Sequence, residues 1–127
     1  MKTIIFDFYK TLYDPKKEYL YEGVVELLLI LSNKYRLILM STGGIERLNV
    51  IRKLNIRRYF LKTLIVKRKT IDYFNEVIFD PNQTLIIGDR IEEEIRIGKK
   101  LGCKTLRVNP DTENPVITIQ RNLHSSI

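Results

Sequence analysis

Apolar and polar positions along the chain follow two alternating periods, and this alternation predicts strands and helices in turn. Residues 2–8 (KTIIFDF) form an apolar run with an acid near its end, which is typical of a buried parallel strand. In residues 17–34, apolar side chains recur at every third or fourth position, which predicts an amphipathic helix. The two patterns then repeat: we predict strands at 36–41, 60–66, 84–87 and 104–108, and helices that begin after Gly44, at Ile71 and near Glu92.

Strands that alternate with helices in this way indicate the α/β class. We predict a three-layer, Rossmann-like fold in which an open parallel sheet of about five strands carries helices on both faces. A single domain is expected over residues 1–120, with an edge strand at 116–119 (VITI) and a poorly ordered tail at 121–127. In such a sheet, functional side chains lie beyond the carboxyl ends of the strands. The polar residues that follow the predicted strands are therefore the candidates for function.

The composition fits one soluble domain. A chain of 127 residues that is 44% hydrophobic is large enough to bury one core. Its single cysteine, Cys103, excludes an intramolecular disulfide, and we expect a reducing, cytoplasmic environment. The apolar run from Leu27 to Leu31 is far shorter than the roughly 20 residues that span a bilayer, so no membrane association is expected.

The net charge of +7 indicates an anionic partner, and phosphate esters and nucleic acids both fit. Basic residues concentrate between positions 52 and 69, where solvated faces of helices and a strand edge explain most of them. No RNA-binding or zinc-finger signature accompanies the charge. Nucleic acid therefore has no support from a motif.

Four short segments hold the candidate chemistry. FDFYKTLYD contains Asp7, LILMS ends in Ser41, two lysines precede the third helix, and IIGDRIEEEI contains Asp89. In order and separation these segments resemble the four motifs of the haloacid dehalogenase (HAD) superfamily, and the resemblance covers nearly the whole chain. It implies the HAD-like fold, hydrolase activity, a nucleophile at Asp7, and Thr11 as the residue that closes the following turn.

Asp7 and Asp89 form the paired carboxylates of a candidate metal site. A carboxylate such as Asp7 can attack phosphorus and form an aspartyl phosphate, which divides one difficult displacement into two easier ones. The negative charges that meet there require a hard cation, and Mg²⁺ prefers oxygen ligands. The resemblance adds the backbone carbonyl of Tyr9 as a ligand. The simpler interpretations are a turn cap at Asp7 and a helix N-cap at Asp89.

The phosphate-binding residues are expected on two other segments. Ser41 resembles the residue that donates a hydrogen bond to a phosphate oxygen, with help from the backbone of Thr42 and Gly43 near a helix N-terminus. The alternative for Ser41 is a cap for that helix. Either Lys67 or Lys69 could offset the phosphate charge, and we prefer Lys69 because KTIDYF resembles family members with a lysine five residues before an aromatic side chain.

A second acid after Asp89 is less clearly defined. Glu94 occupies the position where the resemblance offers such an acid, and it could anchor a metal-bound water. Three glutamates in the first turn of a helix are also expected from the helix dipole alone. The sequence does not separate these two interpretations.

The largest departure from the family pattern is Tyr9. Phosphatases of this superfamily usually carry a second aspartate there, which protonates the leaving group and then activates water. General acid and base catalysis is worth on the order of 10²- to 10⁴-fold, so a phosphatase with a phenol there should be slow on alkyl phosphates. Lys10 also departs, since a small residue is common at its position. It either faces an anionic substrate or points into solvent.

A tyrosine in that place, followed by ThrLeuTyr, also resembles the haloacid dehalogenases that gave the superfamily its name. Those enzymes use a cap domain to exclude water from the substrate. The segments between the motifs leave no room for a cap, so we rank dehalogenation below phosphoryl transfer. An open site suits a large phosphorylated substrate, or else a second subunit acts as the lid.

Three hypotheses remain. The leading one is a Mg²⁺-dependent phosphatase that forms an aspartyl phosphate on Asp7 and is slow because of Tyr9. The alternative is a weakly active or inactive HAD-like domain that binds phosphorylated or nucleic-acid partners. The third is dehalogenase-like activity on 2-haloacids, which requires no metal.

Overall fold

The computed structural model describes residues 2–124, apart from the side chain of His124. Seven strands occur in this part of the chain: β1 (Thr3–Phe6), β2 (Tyr13–Asp14), β3 (Tyr19–Leu20), β4 (Arg36–Thr42), β5 (Lys62–Val66), β6 (Thr84–Gly88) and β7 (Lys104–Arg107). The helices are α1 (Val24–Ser32), α2 (Ile45–Lys53), α3 (Ile71–Val77), α4 (Arg96–Lys100) and α5 (Pro115–His124), and a π-helical turn at Ile91–Ile95 precedes α4. Short 3₁₀ turns occupy Arg57–Tyr59 and Pro81–Gln83.

Five of the strands form one parallel sheet in the order β5-β4-β1-β6-β7, which confirms the predicted fold class. The chain first moves outward from β1 through β4 to β5, and then returns to the other side of β1 to form β6 and β7. The strand order therefore reverses between β1 and β6, where open α/β sheets bind their ligands. Phe6 lies opposite Leu39 and Ile87 in the register, so Asp7 leaves the sheet beside the end of β6.

Helices cover both faces of the sheet because successive side chains of a strand point to opposite sides. Ile4 and Phe6 lie in a cluster with buried residues of α1 and α5. Ile5 points to the other face and lies in a second cluster with Phe74 of α3. Since all three β1 side chains are almost completely buried, β1 is the centre of the molecule and holds Asp7 in a fixed position.

The predicted helix over residues 17–34 is too long. It begins only at Val24, because residues 13–20 form the antiparallel β2-β3 hairpin. Gly23 precedes α1 with φ 90°, a left-handed conformation that glycine adopts at little cost. Leu20 is buried from the hairpin and fits the helical spacing by coincidence.

The predicted edge strand at 116–119 is wrong, since these residues belong to α5. The Asn114 Oδ1 atom accepts the Val116 N–H at 2.9 Å, and Pro115 occupies the first helical position, where its missing N–H costs nothing. Val116, Ile119 and Leu123 are buried at helical spacing in the same cluster as α1. The helix continues past residue 120 into the predicted tail, of which residues 125–127 lie outside the described part, and the domain boundary itself stays a prediction.

The segments between the motifs are short. Residues between Asp7 and Ser41 form the β2-β3 hairpin and α1, and residues between Ser41 and Lys69 form α2, a 3₁₀ turn and β5. Among the helices described, none combines the length and the apolar character needed to cross a membrane.

Candidate active site

Asp7 and Asp89 lie side by side at the carboxyl edge of the sheet, as predicted from their positions after β1 and β6. The Asp7 N–H donates to the Ile87 carbonyl at 2.9 Å, which continues the β1-β6 pairing by one residue. A tight turn then reverses the chain, because the Phe8 carbonyl accepts N–H groups from Thr11 and the next two residues. The Thr11 hydroxyl, completely buried, donates to Asp7 Oδ2 at 3.3 Å.

A buried ion-pair triad occupies the floor of the site. The Lys69 ammonium lies 2.5 Å from Asp7 Oδ1 and 2.6 Å from Glu94 Oε1. The three residues are only 5%, 7% and 1% exposed. Lys67, the alternative to Lys69, is exposed, and within the described residues it forms no ion pair with Asp7. Burial of three charged groups together is costly unless they satisfy one another, so this geometry fixes their positions.

The π-helical turn separates the three consecutive glutamates. Glu92 pairs with Arg96 at the surface, and Glu93 pairs with Arg90. Glu94 turns inward over Gly88, where an added Cβ atom would lie 2.7 Å from the Glu94 Cγ atom. A π turn inserts an extra residue into a helix and often marks a functional site. Here it accompanies a buried Glu94, a half-buried Glu93 that lines the cavity beside Asp7, and an exposed Glu92.

Three carboxylates converge closely enough to hold a metal ion. Asp7, Asp89 and Glu94 each offer a ligand oxygen, and these atoms lie within 4.8 Å of one another. The Glu94 Oε2 atom is buried and has no hydrogen-bond partner among the described residues. An orphaned buried carboxylate oxygen is unfavourable, and a cation would satisfy it. The donor set contains only oxygen, which suits Mg²⁺.

The pKa values of the buried charged groups are shifted because the carboxylates lie so close together and are removed from water. Burial raises the pKa of Asp7, the Lys69 ammonium opposes that rise, and Asp89 adds to it. Burial also raises the pKa of Glu94, and the Asp7 charge raises it further. Burial alone would lower the pKa of Lys69, but its two carboxylate partners raise it above the usual value. Asp7 and Glu94 share one ammonium and Asp89 adds a third carboxylate, so the cluster of these four groups has an excess of negative charge.

The predicted phosphate-binding segment borders the same space. Ser41 is buried and its hydroxyl donates to the Thr42 carbonyl at 3.2 Å. It does not cap α2, whose N-cap is Gly44. The Gly43 N–H donates to the Val66 carbonyl at 3.0 Å, and Gly43 has φ 143°. Thr42 lines a cavity of about 340 Å³ above Asp7.

Arg47 is a residue of the site that the sequence analysis missed. It projects from the first turn of α2 into the cavity that contains Asp7 and Lys69. Its guanidinium lies 4.9 Å from the centre of the Tyr9 ring. The Tyr9 side chain is 40% exposed at the mouth of this cavity, and Lys10 lines it as well. The position of Arg47 in the sequence could have identified it. A helix that begins directly after a strand and a glycine turn places its first residues at the carboxyl edge of the sheet.

Solved structures of similar fold support the superfamily resemblance. The HAD-hydrolase YfnB from Bacillus subtilis, whose crystal structure is bound to magnesium, is 25% identical with a TM-score of 0.68 over 76% of this chain and 47% of that one. A hydrolase from Streptococcus pneumoniae TIGR4 is 19% identical with a TM-score of 0.81 over 98% of this chain and 100% of that one. A haloacid dehalogenase-like family hydrolase from Xanthomonas campestris is 10% identical with a TM-score of 0.78 over 85% of this chain and 82% of that one.

The chain spans about half the length of YfnB and most or all of the other two proteins. No family model and no curated protein matches the sequence. The strand order, the placement of Asp7 and Asp89 and these structural similarities agree with one another. The chain therefore has the fold of haloacid dehalogenase-like hydrolases.

Proposed function

We propose that this chain is a Mg²⁺-dependent phosphatase that forms an aspartyl phosphate on Asp7. The observation that carries the proposal is the convergence of Asp7, Asp89 and Glu94, whose ligand oxygens lie within 4.8 Å of one another beside a buried lysine. A group of acids this close together is expected where a cation and a phosphate meet, because the cation offsets both sets of negative charge. YfnB, which has the same fold, is described as bound to magnesium.

The residues that would hold Mg²⁺ are Asp7, Asp89 and the backbone carbonyl of Tyr9, with Glu94 as a direct ligand or as a partner of a bound water. The ion would neutralise phosphate charge and orient the phosphoryl group toward the nucleophile. Glu94 Oε2 is the buried atom that supports this assignment most directly, since it is without a hydrogen-bond partner among residues 2–124.

The protein residues then have separate tasks. Asp7 attacks phosphorus through one carboxylate oxygen, and the Thr11 hydroxyl holds the other at 3.3 Å. The positive charge of Lys69 attracts the incoming phosphate, whose negative charge would otherwise be repelled by the three acids. Thr42 also lines the cavity. Tyr9 offers only a phenol, which is a far weaker acid than a carboxyl group and protonates an alkoxide leaving group poorly.

The test is hydrolysis of para-nitrophenyl phosphate, with and without Mg²⁺, by the parent protein and by the Asp7→Asn and Tyr9→Asp variants. Metal-dependent turnover in the parent should be lost in Asp7→Asn. On glycerol 2-phosphate, whose leaving group needs a proton, Tyr9→Asp should raise turnover by on the order of 10²-fold or more.

Three results would overturn the proposal. Equal turnover by the parent and Asp7→Asn would mean that a contaminant or another residue does the chemistry. No turnover by any of the three proteins, together with salt-sensitive binding of phosphorylated ligands, would favour a binding domain. Halide release from 2-chloropropionate without metal would favour the dehalogenase.

A further inference from the structure

Two cations that form no ion pair among the described residues lie near the Tyr9 ring. The Arg47 guanidinium lies 4.9 Å from the centre of the Tyr9 ring, and the Lys10 ammonium lies 6.0 Å from it. The guanidinium also lies 5.6 Å from the centre of the Phe8 ring, so aromatic contacts on two residues hold it in place. Arg47 and Lys10 line the cavity that contains Asp7, so both cations border the space that the reacting phosphoryl group would occupy in the proposed function.

The other cations of the cavity are already neutralised. Lys69 is bonded to two carboxylates, and Arg90 lies 3.1 Å from Glu93. Arg47 and Lys10 line the same cavity, but neither forms an ion pair within residues 2–124. An unpaired guanidinium and an unpaired ammonium beside a phosphoryl site are suited to a negative charge that arrives with the substrate or develops as it reacts.

We propose that Arg47 and Lys10 receive a leaving group that departs as an anion, so that the substrates of the Asp7 site are anhydrides of phosphoric acid rather than alkyl phosphate esters. This inference rests on the proposed function, and it names the substrate class. The shared chemistry is a carboxylate or phosphate leaving group, which means an acyl phosphate or a phosphoanhydride. Such groups leave without protonation, so the first step does not need a carboxylic acid at position 9.

The reaction balances without an added proton donor in its first step. An Asp7 oxygen bonds to phosphorus while the bond from phosphorus to the bridging oxygen breaks, and the electron pair leaves on the departing carboxylate or phosphate. In the second step water attacks phosphorus, the bond to Asp7 breaks with its electron pair returning to the carboxylate, and the proton of the water passes to a phosphate oxygen. Arg47 and Lys10 act on the first step, where the leaving group carries the new charge.

A second cavity gives the leaving group room to extend. It has a volume of about 260 Å³ and shares Lys10 and Asp89 with the cavity above Asp7. Lys16 and Arg107 also line it, but Asp14 and Asp111 balance their charge. This second cavity therefore accommodates a polar group without selecting its sign, and the selection for an anion comes from Arg47 and Lys10.

The experiment compares kcat/KM for acetyl phosphate, inorganic pyrophosphate and glycerol 2-phosphate in the presence of Mg²⁺. The proteins are the parent, Arg47→Gln, Lys10→Gln and the control Arg52→Gln, which removes an exposed arginine from the same helix. We expect the parent to prefer one or both anhydrides over the ester by at least about 10²-fold, and Arg47→Gln to reduce that preference by on the order of 10- to 100-fold. The two anhydrides show which leaving group, carboxylate or phosphate, the site accepts.

Arg47→Lys keeps the charge and separates an electrostatic role from a packing role. If the charge matters, Arg47→Lys retains more of the preference than Arg47→Gln at equal melting temperature. Equal ratios of anhydride to ester turnover in the parent, Arg47→Gln and Arg52→Gln would overturn the inference while leaving the phosphatase intact.

A binding measurement keeps the inference testable if turnover is absent. Methylenediphosphonate mimics an anhydride and methylphosphonate mimics a single phosphoryl group, and calorimetry gives the affinity of both. We expect the diphosphonate to bind at least about tenfold more tightly, with the difference lost in Arg47→Gln and kept in Arg52→Gln. If no protein is active but this binding pattern is observed, the phosphatase proposal is wrong and the anion-binding role of Arg47 is supported. Equal affinity for the two phosphonates would contradict the proposed anion-binding site at Arg47 and Lys10.

Discussion

The Lys69 ammonium lies 2.5 Å from Asp7 Oδ1, although 62 residues separate them in the chain. The loop before α3 carries Lys69 across the carboxyl edge of the sheet to the end of β1, and the same ammonium contacts Glu94 at 2.6 Å. The triad therefore ties together the segments after β1, β5 and β6. Catalytic geometry and stability are consequently linked at this point, because each charge is buried only where another compensates it.

Replacement of Lys69 by methionine should destabilise the metal-free protein by about 3–5 kcal/mol at pH 8, since Asp7 and Glu94 would remain buried without a cation. Lys67→Met is the matched control, because Lys67 is exposed two residues away and its loss should change the free energy of unfolding by about 0.5 kcal/mol at most. Urea unfolding in the presence of a chelator measures both values.

The deficit of Lys69→Met should shrink as the pH falls toward 5. Burial raises the pKa of both carboxyl groups in the folded protein, and removal of Lys69 takes away the charge that opposes this rise. Between the unfolded pKa values near 4 and the raised folded values, the folded state binds more protons than the unfolded state, so stability increases as pH decreases. A deficit that is constant from pH 5 to pH 8 would contradict the buried triad.

Glu94→Gln should weaken Mg²⁺ binding by on the order of 10- to 100-fold, whether Glu94 contacts the ion or holds its water. The readout is the rise of the melting temperature with Mg²⁺ concentration, because an ion that binds only the folded state stabilises it. Glu92→Gln is the control, since Glu92 lies in the same π turn but pairs with Arg96 at the surface. Identical Mg²⁺ dependence in the two variants would remove Glu94 from the metal site.

Ile119→Ala should destabilise the protein by about 2–5 kcal/mol, because this side chain lies on the buried face of α5 and is completely buried. Ile117→Ala should change stability by about 0.5 kcal/mol at most, since Ile117 is 50% exposed. In a strand, residues 117 and 119 would share one face and the two substitutions would have similar effects. Chemical unfolding of the two variants thus separates a helix from the edge strand that the sequence favours.

The sequence by itself determined the sheet and the main acids of the site. Continuous apolar runs such as residues 2–8 are long enough to specify buried parallel strands, and the helical spacing between them specifies the crossovers. The acids that follow two of these strands then have to meet at one edge, because parallel strands end on the same side. Asp7 and Asp89 were therefore predictable from local pattern.

Two elements of the fold were decided by tertiary contacts. VITI is rich in β-branched residues and favours a strand, yet Asn114 and Pro115 start a helix there and the α1 side of the sheet offers an apolar surface to cover. Residues 17–20 match the helical period, yet the turn after Asp7 leads the chain into the β2-β3 hairpin. Local propensity is weak in both segments compared with the burial that long-range packing provides.

The composition of the site was decided in the same way. The resemblance singled out Glu94 among three successive glutamates but left its role open. The π turn and the space above Gly88 bring Glu94 to Lys69 while Glu92 stays at the surface. Arg47 carries no motif, and its place beside Tyr9 follows from the direction in which α2 leaves β4. A sequence pattern specifies which face of an element is buried, whereas the approach of two side chains from distant segments depends on how those elements pack.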